Sequence, residues 1–228
     1  MIVKKYKTIV TAIEHPLPDI YTLTLTSQDG RFRYRPGQFM HLTLEQYDPS
    51  QQWPESRCFS IQSNPEEEYL RFTYSVKGSY TTRMANELHE GKELWLKMPY
   101  GELFEHDYSK EQCVFLAGGT GVTPYLSLFT SKIFSAYNKP ALYFGVRNES
   151  YNIYTNAFLK ARQINPAMNI IIVYAESEGM LNLDSIYGRH GKSAVYFLSG
   201  PPMMIKTFRK QLTMLGVPEQ QVKTDEWE

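Results

Sequence analysis

Val114-Phe-Leu-Ala-Gly-Gly-Thr-Gly-Val-Thr-Pro124 is a solid apolar run that turns on three glycines straight into a helix-period segment. Glycines at 118, 119 and 121 let a backbone approach an anion with no Cβ in the way. A helix starting behind them presents unpaired N–H groups and the positive end of its dipole. Pro124 suits the first helical turn, where its missing N–H costs nothing. The stretch is not a P-loop, because no Gly-Lys-[Ser/Thr] follows, and proline stands where the last glycine of a Gly-x-Gly-x-x-Gly would be. Taken alone it is equally a tight turn that binds nothing.

Working outward, the downstream chain repeats this grammar. Apolar runs Ala141-Leu-Tyr-Phe-Gly145, Asn169-Ile-Ile-Ile-Val-Tyr174 and Ala194-Val-Tyr-Phe-Leu-Ser199 alternate with helix-period segments at 123–135, 155–161 and 202–215. Solid runs suit strands covered on both faces, and the alternation predicts a doubly wound α/β domain with a parallel sheet. Upstream, Ile20–Thr26, Phe39–Leu44, Tyr69–Val76 and Glu93–Met98 alternate apolar and polar positions, as half-buried strands do. Turn signals at Asp29-Gly30, Arg35-Pro36-Gly37, Asn64-Pro65 and Glu90-Gly91 separate them. This spacing predicts a small antiparallel β-barrel interrupted by one helix at 81–88. The division is expected near Asp107–Lys110, with the barrel over 1–107 and the α/β domain over 108–228.

Among 228 residues, 24 Lys and Arg balance 24 Asp and Glu, so no net basic charge announces a nucleic-acid partner or an acidic membrane. An apolar share of 42% excludes a disordered chain. The first residues lack the apolar core of a secretory signal, and no run nears the ~20 apolar residues of a membrane-spanning helix. A soluble, cytoplasmic setting is expected. The two cysteines, Cys58 and Cys113, fall short of the about four ligands that hold an iron–sulfur cluster. The histidines are scattered without ligand spacing, so no protein-bound metal is expected.

Two further segments matter beside the glycine turn. Arg57-Cys-Phe-Ser-Ile-Gln-Ser63 has a period of two, which sends Arg57, Phe59 and Ile61 to one face and Cys58, Ser60 and Gln62 to the other. An arginine pairs with a phosphate, an aromatic ring stacks on a flat heterocycle, and a serine bonds its edge. An ordinary strand with a surface arginine is the bland alternative. Ser199-Gly-Pro-Pro-Met203 follows the last strong strand, at the carboxyl edge where ligands bind in such sheets; by itself it only terminates a strand.

Together and in this order, the segments beginning at 57, 118 and 199 resemble the signature of the ferredoxin–NADP⁺ reductase superfamily. That family carries an Arg-x-Tyr-Ser flavin motif, a Gly-Gly-Thr-Gly-(Ile/Val)-(Thr/Ala)-Pro loop and a Cys-Gly-Pro-Pro segment, and the resemblance runs over essentially the whole chain. It implies a flavin-binding barrel followed by an NAD(P)-binding domain. The implied activity is that of an NAD(P)H-dependent flavin oxidoreductase, which passes a hydride from NAD(P)H to bound FAD. Electrons then go to a separate acceptor such as a ferredoxin, flavodoxin or oxygenase component.

By the same resemblance, Arg57 binds the flavin phosphate, Phe59 stacks on the isoalloxazine and Ser60 hydrogen-bonds near its N5, with Cys58 between them. Lys77-Gly-Ser-Tyr-Thr-Thr82 resembles the family's second flavin-phosphate segment, where Gly78, Ser79 and Thr81 offer donors; Tyr74, Val76, Tyr80 and Tyr100 are candidate flavin neighbours. This segment favours FAD over FMN, because it suits the longer pyrophosphate. Gly119, Thr120, Gly121 and Thr123 hold the dinucleotide, Pro124 sets the helix, and Ser199, Gly200 and Pro201 line the nicotinamide pocket. Asp225-Glu226-Trp227 resembles an acidic–aromatic ending that in some members reaches back to the flavin. Ser60, Ser199, Asp225 and Glu226 are therefore the candidate catalytic groups, and Trp227 a cofactor neighbour. Arg147 is a candidate for an adenosine 2′-phosphate, although members of both coenzyme preferences carry an arginine there.

Two positions depart from the pattern. Phe59 replaces the usual tyrosine, keeping a ring but losing its hydroxyl. Ser199 replaces the usual cysteine with a smaller, harder atom beside the nicotinamide. Two rivals stand beside the main reading: a free-flavin or ferric reductase, and a non-catalytic flavin- or nucleotide-binding regulatory subunit, which these two departures leave open.

Overall fold

The alternating half of the sequence folds as β1 (Lys4–Leu17), β2 (Ile20–Ser27), β3 (Phe39–Thr43), β4 (Arg57–Ser60), β5 (Leu70–Ser75), α1 (Ser79–Glu87) and β6 (Glu93–Tyr100). The computed structural model describes residues 2–105 and 107–225. Within it the chain divides into two compact units, Met1–Glu102 and Leu103–Glu228. The first unit is a six-stranded antiparallel sheet in the order β4-β3-β6-β1-β2-β5. It is nearly closed, because just past β4 the Gln62 and Ser63 amides donate to the Arg71 carbonyl at 2.8 and 3.3 Å. Inward positions bury Leu23, Leu42, Phe59, Phe72, Tyr74 and Leu96 in one core. The longest strand, β1, escapes a reading by alternation. Its register shifts between Val10 and Ala12 and again between Glu14 and Leu17, and each bulge resets the period of two.

The second unit contains β7 (Cys113–Gly118), α2 (Thr123–Phe129), β8 (Ala141–Val146), α3 (Thr155–Ile164), β9 (Asn169–Tyr174), α4 (Ala175–Glu178), α5 (Leu183–His190), β10 (Val195–Ser199), α6 (Pro202–Met214) and β11 (Val222–Thr224). Its five strands are all parallel, in the order β11-β10-β7-β8-β9. Successive residues of β7 and β10 feed opposite cores. Phe115 and Phe197 pack with Tyr125 and Phe129 of α2 and Phe158 of α3. Leu116, Tyr196 and Leu198 pack with Ile186 of α5 and Phe208 of α6. Helices thus cover both faces, as the solid apolar runs require.

Three details differ from the sequence expectation. The helix expected over 123–135 stops at Phe129: the Thr130 hydroxyl donates back to the Leu126 carbonyl at 2.8 Å, and Ser131 is extended before a separate short turn. The apolar strand β9 is only partly buried, because it forms the edge of the sheet. The units divide at Glu102 and Leu103, whereas the grammar changes near 107; Leu103 is buried with the second core and Phe104 packs against it.

Candidate functional site

In the barrel unit, Arg57 opens β4 and is exposed, pairing with Glu55 at 2.8 Å. Its guanidinium lies 4.8 Å from the centre of the Tyr80 ring, on the first turn of α1. Tyr80 is buried, donates to the Leu42 carbonyl at 2.6 Å, and has its phenol pushed up to about 12 by burial. Two segments 23 residues apart are thereby brought together: a cation, and the start of a helix whose first N–H groups have no intrahelical partner. Gly78 precedes that helix and Ser79 begins it in the open. The Thr81 hydroxyl is already used locally. It accepts from the Lys77 and Gly78 amides at 2.9 and 3.2 Å and donates to the Gly78 carbonyl, so it shapes the turn.

Phe59 is 8% exposed, with its ring 5.2 Å from Phe72 and 6.0 Å edge-on from Tyr74. It is a wall of the barrel core as well as a candidate stacking surface. Tyr74 is buried, stacks on Tyr21 at 5.4 Å, and its hydroxyl meets no hydrogen-bond partner among the described residues. Burial raises its pKa well above the ordinary phenol. Ser60 is buried on the other face, and Val76 follows β5, half-buried against the core. Cys58 faces His41 across the strand pair, its sulfur 3.6 and 3.7 Å from the two ring nitrogens. Burial raises the Cys58 thiol and lowers His41, Lys97 adding to the latter, so the sulfur is held as a thiol and the imidazole is held neutral.

Sequence reasoning passed over a polar relay beside this corner. Thr22 and Thr73 share a hydroxyl bond at 2.8 Å, and Thr73 donates to Gln62 Oε1 at 2.6 Å. The signal was the parity that puts Gln62 on the face of Ser60.

In the α/β unit, the glycine turn and the Ser199–Pro201 turn are built against each other. A Cβ on Gly121 would lie 2.4 Å from the Gly200 Cα, and one on Gly118 would lie 2.8 Å from Pro201 Cδ. Gly119 has φ +55 with open space where a side chain would project. Thr123 donates to the Thr120 carbonyl at 2.9 Å, which locks the turn, and Pro124 lies in the first turn of α2. Ser199 is 1% exposed and donates to Asp225 Oδ2 at 3.1 Å, while the Asp225 amide donates to the Leu198 carbonyl. The substituted serine is therefore held by the predicted acidic residue. Beneath them the buried Tyr125 donates to the Leu116 carbonyl, and burial, then Asp225, drives its pKa far upward. Arg147, just past β8, donates to the Tyr151 hydroxyl at 2.9 Å with its guanidinium 4.8 Å over that ring. Glu226 and Trp227 lie outside the described residues.

These residues fit a flavin phosphate in one unit and a dinucleotide in the other. Residues 4–134 match the family described as FAD-binding domain, and residues 115–210 match the oxidoreductase NAD-binding domain. The chain belongs to the ferredoxin reductase-like flavoprotein family. Members are NAD(P)H-dependent flavin oxidoreductases, so FAD and NAD(P)H are its cofactor and co-substrate. The propane 2-monooxygenase reductase component of Mycolicibacterium goodii is 28% identical over 98% of this chain and 68% of its own length. Among solved structures, a ferredoxin reductase in carbazole 1,9a-dioxygenase superposes with a TM-score of 0.80 at 18% identity, over 100% of this chain and 70% of that one. Ferredoxin-NADP⁺ reductase from Plasmodium falciparum gives 0.76 at 19% identity, over 99% and 96%. At these identities the superpositions show a shared fold. Among the described residues no helix is long and apolar enough to cross a membrane.

Proposed function

We propose that this ferredoxin reductase-like chain takes electrons from a nicotinamide nucleotide and delivers them, by way of bound FAD, to a redox protein outside these 228 residues. An oxygenase component is the favoured acceptor, because the relative from Mycolicibacterium goodii is itself the reductase component of a monooxygenase; a ferredoxin or flavodoxin is chemically equivalent. Bound FAD would supply the redox chemistry that links a hydride donor to an electron acceptor, while the protein supplies binding and orientation. The observation that carries the reading is the meeting of Arg57 with the start of α1, in a chain that also bears the Gly118–Gly121 turn.

The residues divide the work. Arg57 and the first amides of α1 neutralise the flavin phosphates, and Gly78 and Ser79 leave them unobstructed. Phe59 and Tyr74, whose rings meet edge-on, offer the apolar surface for the isoalloxazine. The glycine turn admits the dinucleotide pyrophosphate, and Asp225 fixes the Ser199 hydroxyl beside the nicotinamide pocket. With only Cys58 and Cys113, both free thiols, these residues cannot hold an iron–sulfur cluster, so electrons leave for another centre. Free thiols also suit a reducing cytoplasm.

The test is anaerobic titration of the purified holoprotein with NADH and then with NADPH. Loss of the bound flavin's visible absorbance, followed by its return on adding an oxidised ferredoxin, flavodoxin or oxygenase component, supports the reading. A flavin that stays oxidised with both nucleotides refutes it. A colourless preparation that reduces added FMN would make this a free-flavin reductase.

A further inference from the structure

The parallel sheet reverses its strand order beside β7. From β7 the chain steps outward to β8 and β9, then returns to the far side for β10 and β11. A dinucleotide spans such a reversal, with its pyrophosphate at the first turn. Since Ser199–Pro201 takes the β10 side, the adenosine half falls over the carboxyl ends of β8 and β9.

Those ends carry a connected polar group. The Ser150 hydroxyl donates to Asn148 Oδ1 at 2.7 Å, and Asn148 Nδ2 donates to Glu176 Oε2 at 3.0 Å. The Glu176 amide donates to the Arg147 carbonyl at 3.0 Å, which ties the two strand ends together. Glu176 is exposed, and its other carboxylate oxygen accepts nothing among the described residues. Glu149 and Glu178 follow the same two strands, and Glu178 accepts from the Tyr174 amide at 2.8 Å. Against these three carboxylates stands Arg147, already engaged with Tyr151 through both a hydrogen bond and its flat face.

A ribose diol needs an acceptor, which a carboxylate supplies; a 2′-phosphate brings a charge near −2 and needs several cations. We propose that this edge selects the nucleotide whose adenosine ribose keeps its 2′-hydroxyl: Glu176, braced by Asn148, accepts from the ribose and repels a 2′-phosphate. NADH is then the coenzyme and NADPH the poor one. The inference rests on the nucleotide-binding part of the proposed function and is independent of the electron acceptor.

Equilibrium binding of 5′-ADP and 2′,5′-ADP to the intact holoprotein, by calorimetry, isolates the adenosine end. The wild type is expected to favour 5′-ADP by about tenfold or more. Glu176→Gln, at an exposed position, shrinks that ratio at least about threefold, and Asn148→Ala shrinks it in the same direction by unbracing the carboxylate. The proposal is overturned if 2′,5′-ADP binds as well as 5′-ADP, if neither fragment binds at millimolar concentration, or if both variants keep the wild-type ratio. Failure of NADH and NADPH to bleach the flavin, with the ADP ratio intact, counts against the electron-transfer reading alone.

Discussion

Gly121→Ala is the most incisive single perturbation of the α/β unit. The added Cβ would sit 2.4 Å from the Gly200 Cα, 2.5 Å from its nitrogen and 2.7 Å from the Ser199 carbonyl carbon. Ordinary contact begins near 3.4 Å, so the two turns must part by about 1 Å. All three obstructing atoms are backbone, and no change of rotamer relieves them. Overpacking of this kind costs roughly 1–3 kcal/mol, and each kcal/mol lowers the melting temperature by about 2–4 °C in a chain of this size. A separation of 1 Å also carries the anion-facing amides out of hydrogen-bond range, so nucleotide affinity falls about tenfold or more. Calorimetry with NAD⁺ reads the affinity, a thermal melt reads the stability, and bound-flavin absorbance is expected to stay at the wild-type level. Gly119→Ala is the contrast, since nothing lies within 4 Å of its Cβ and the cost is conformational, from φ +55, at roughly 1–2 kcal/mol. A Gly121→Ala protein that melts and binds NAD⁺ like the wild type would refute the close approach of the turns as the device that shapes the site.

Arg57→Ala should lower flavin affinity about tenfold, read as flavin lost on gel filtration, with stability changed by less than about 0.5 kcal/mol because its partner Glu55 is also exposed. Phe115→Ala, which removes a fully buried ring stacked 4.9 Å from Phe197, should cost about 3–5 kcal/mol by denaturant titration; a loss under about 1 kcal/mol would mean the core is not close-packed there. His190 has its ring nitrogens 3.2 Å from the Gln112 amide nitrogen and 2.9 Å from the Tyr143 hydroxyl, and burial, then Arg189, holds its pKa below 6.5. The unfolded chain therefore binds the proton first, so stability falls as pH drops from about 6.5 toward the folded value, and His190→Gln flattens that slope in melts taken across the window.

Much of this organisation was legible in residue order. Alternation in Tyr69–Val76 and the solid run Val114–Ala117 announce their sheets, because a strand with one wet face and a strand covered on both faces obey different patterns. The glycines of the turn mark, in the same way, a place where two backbones pack closely. Strand β1 was hidden, since bulges break its period, and the helix at 123–135 was overextended because the Thr130 back-bond carries no hydropathy signal. Glu176 and Asn148 were missed as well. Nothing local marks them; only their place at the ends of β9 and β8 does.

Periodicity and turn chemistry are properties of neighbouring residues, so the sequence alone determined two units, their classes and the three signature segments. The meetings across the chain were decided by tertiary structure. Ser199 reaches Asp225 across 26 positions and Asn148 reaches Glu176 across 28 because parallel pairing aligns the strand ends that carry them. Gly121 faces Gly200 because β7 and β10 run side by side in register, Ala117 opposite Ser199. Arg57 lies over Tyr80 because Tyr80, through its bond to the Leu42 carbonyl, holds α1 against β3, the strand paired with β4.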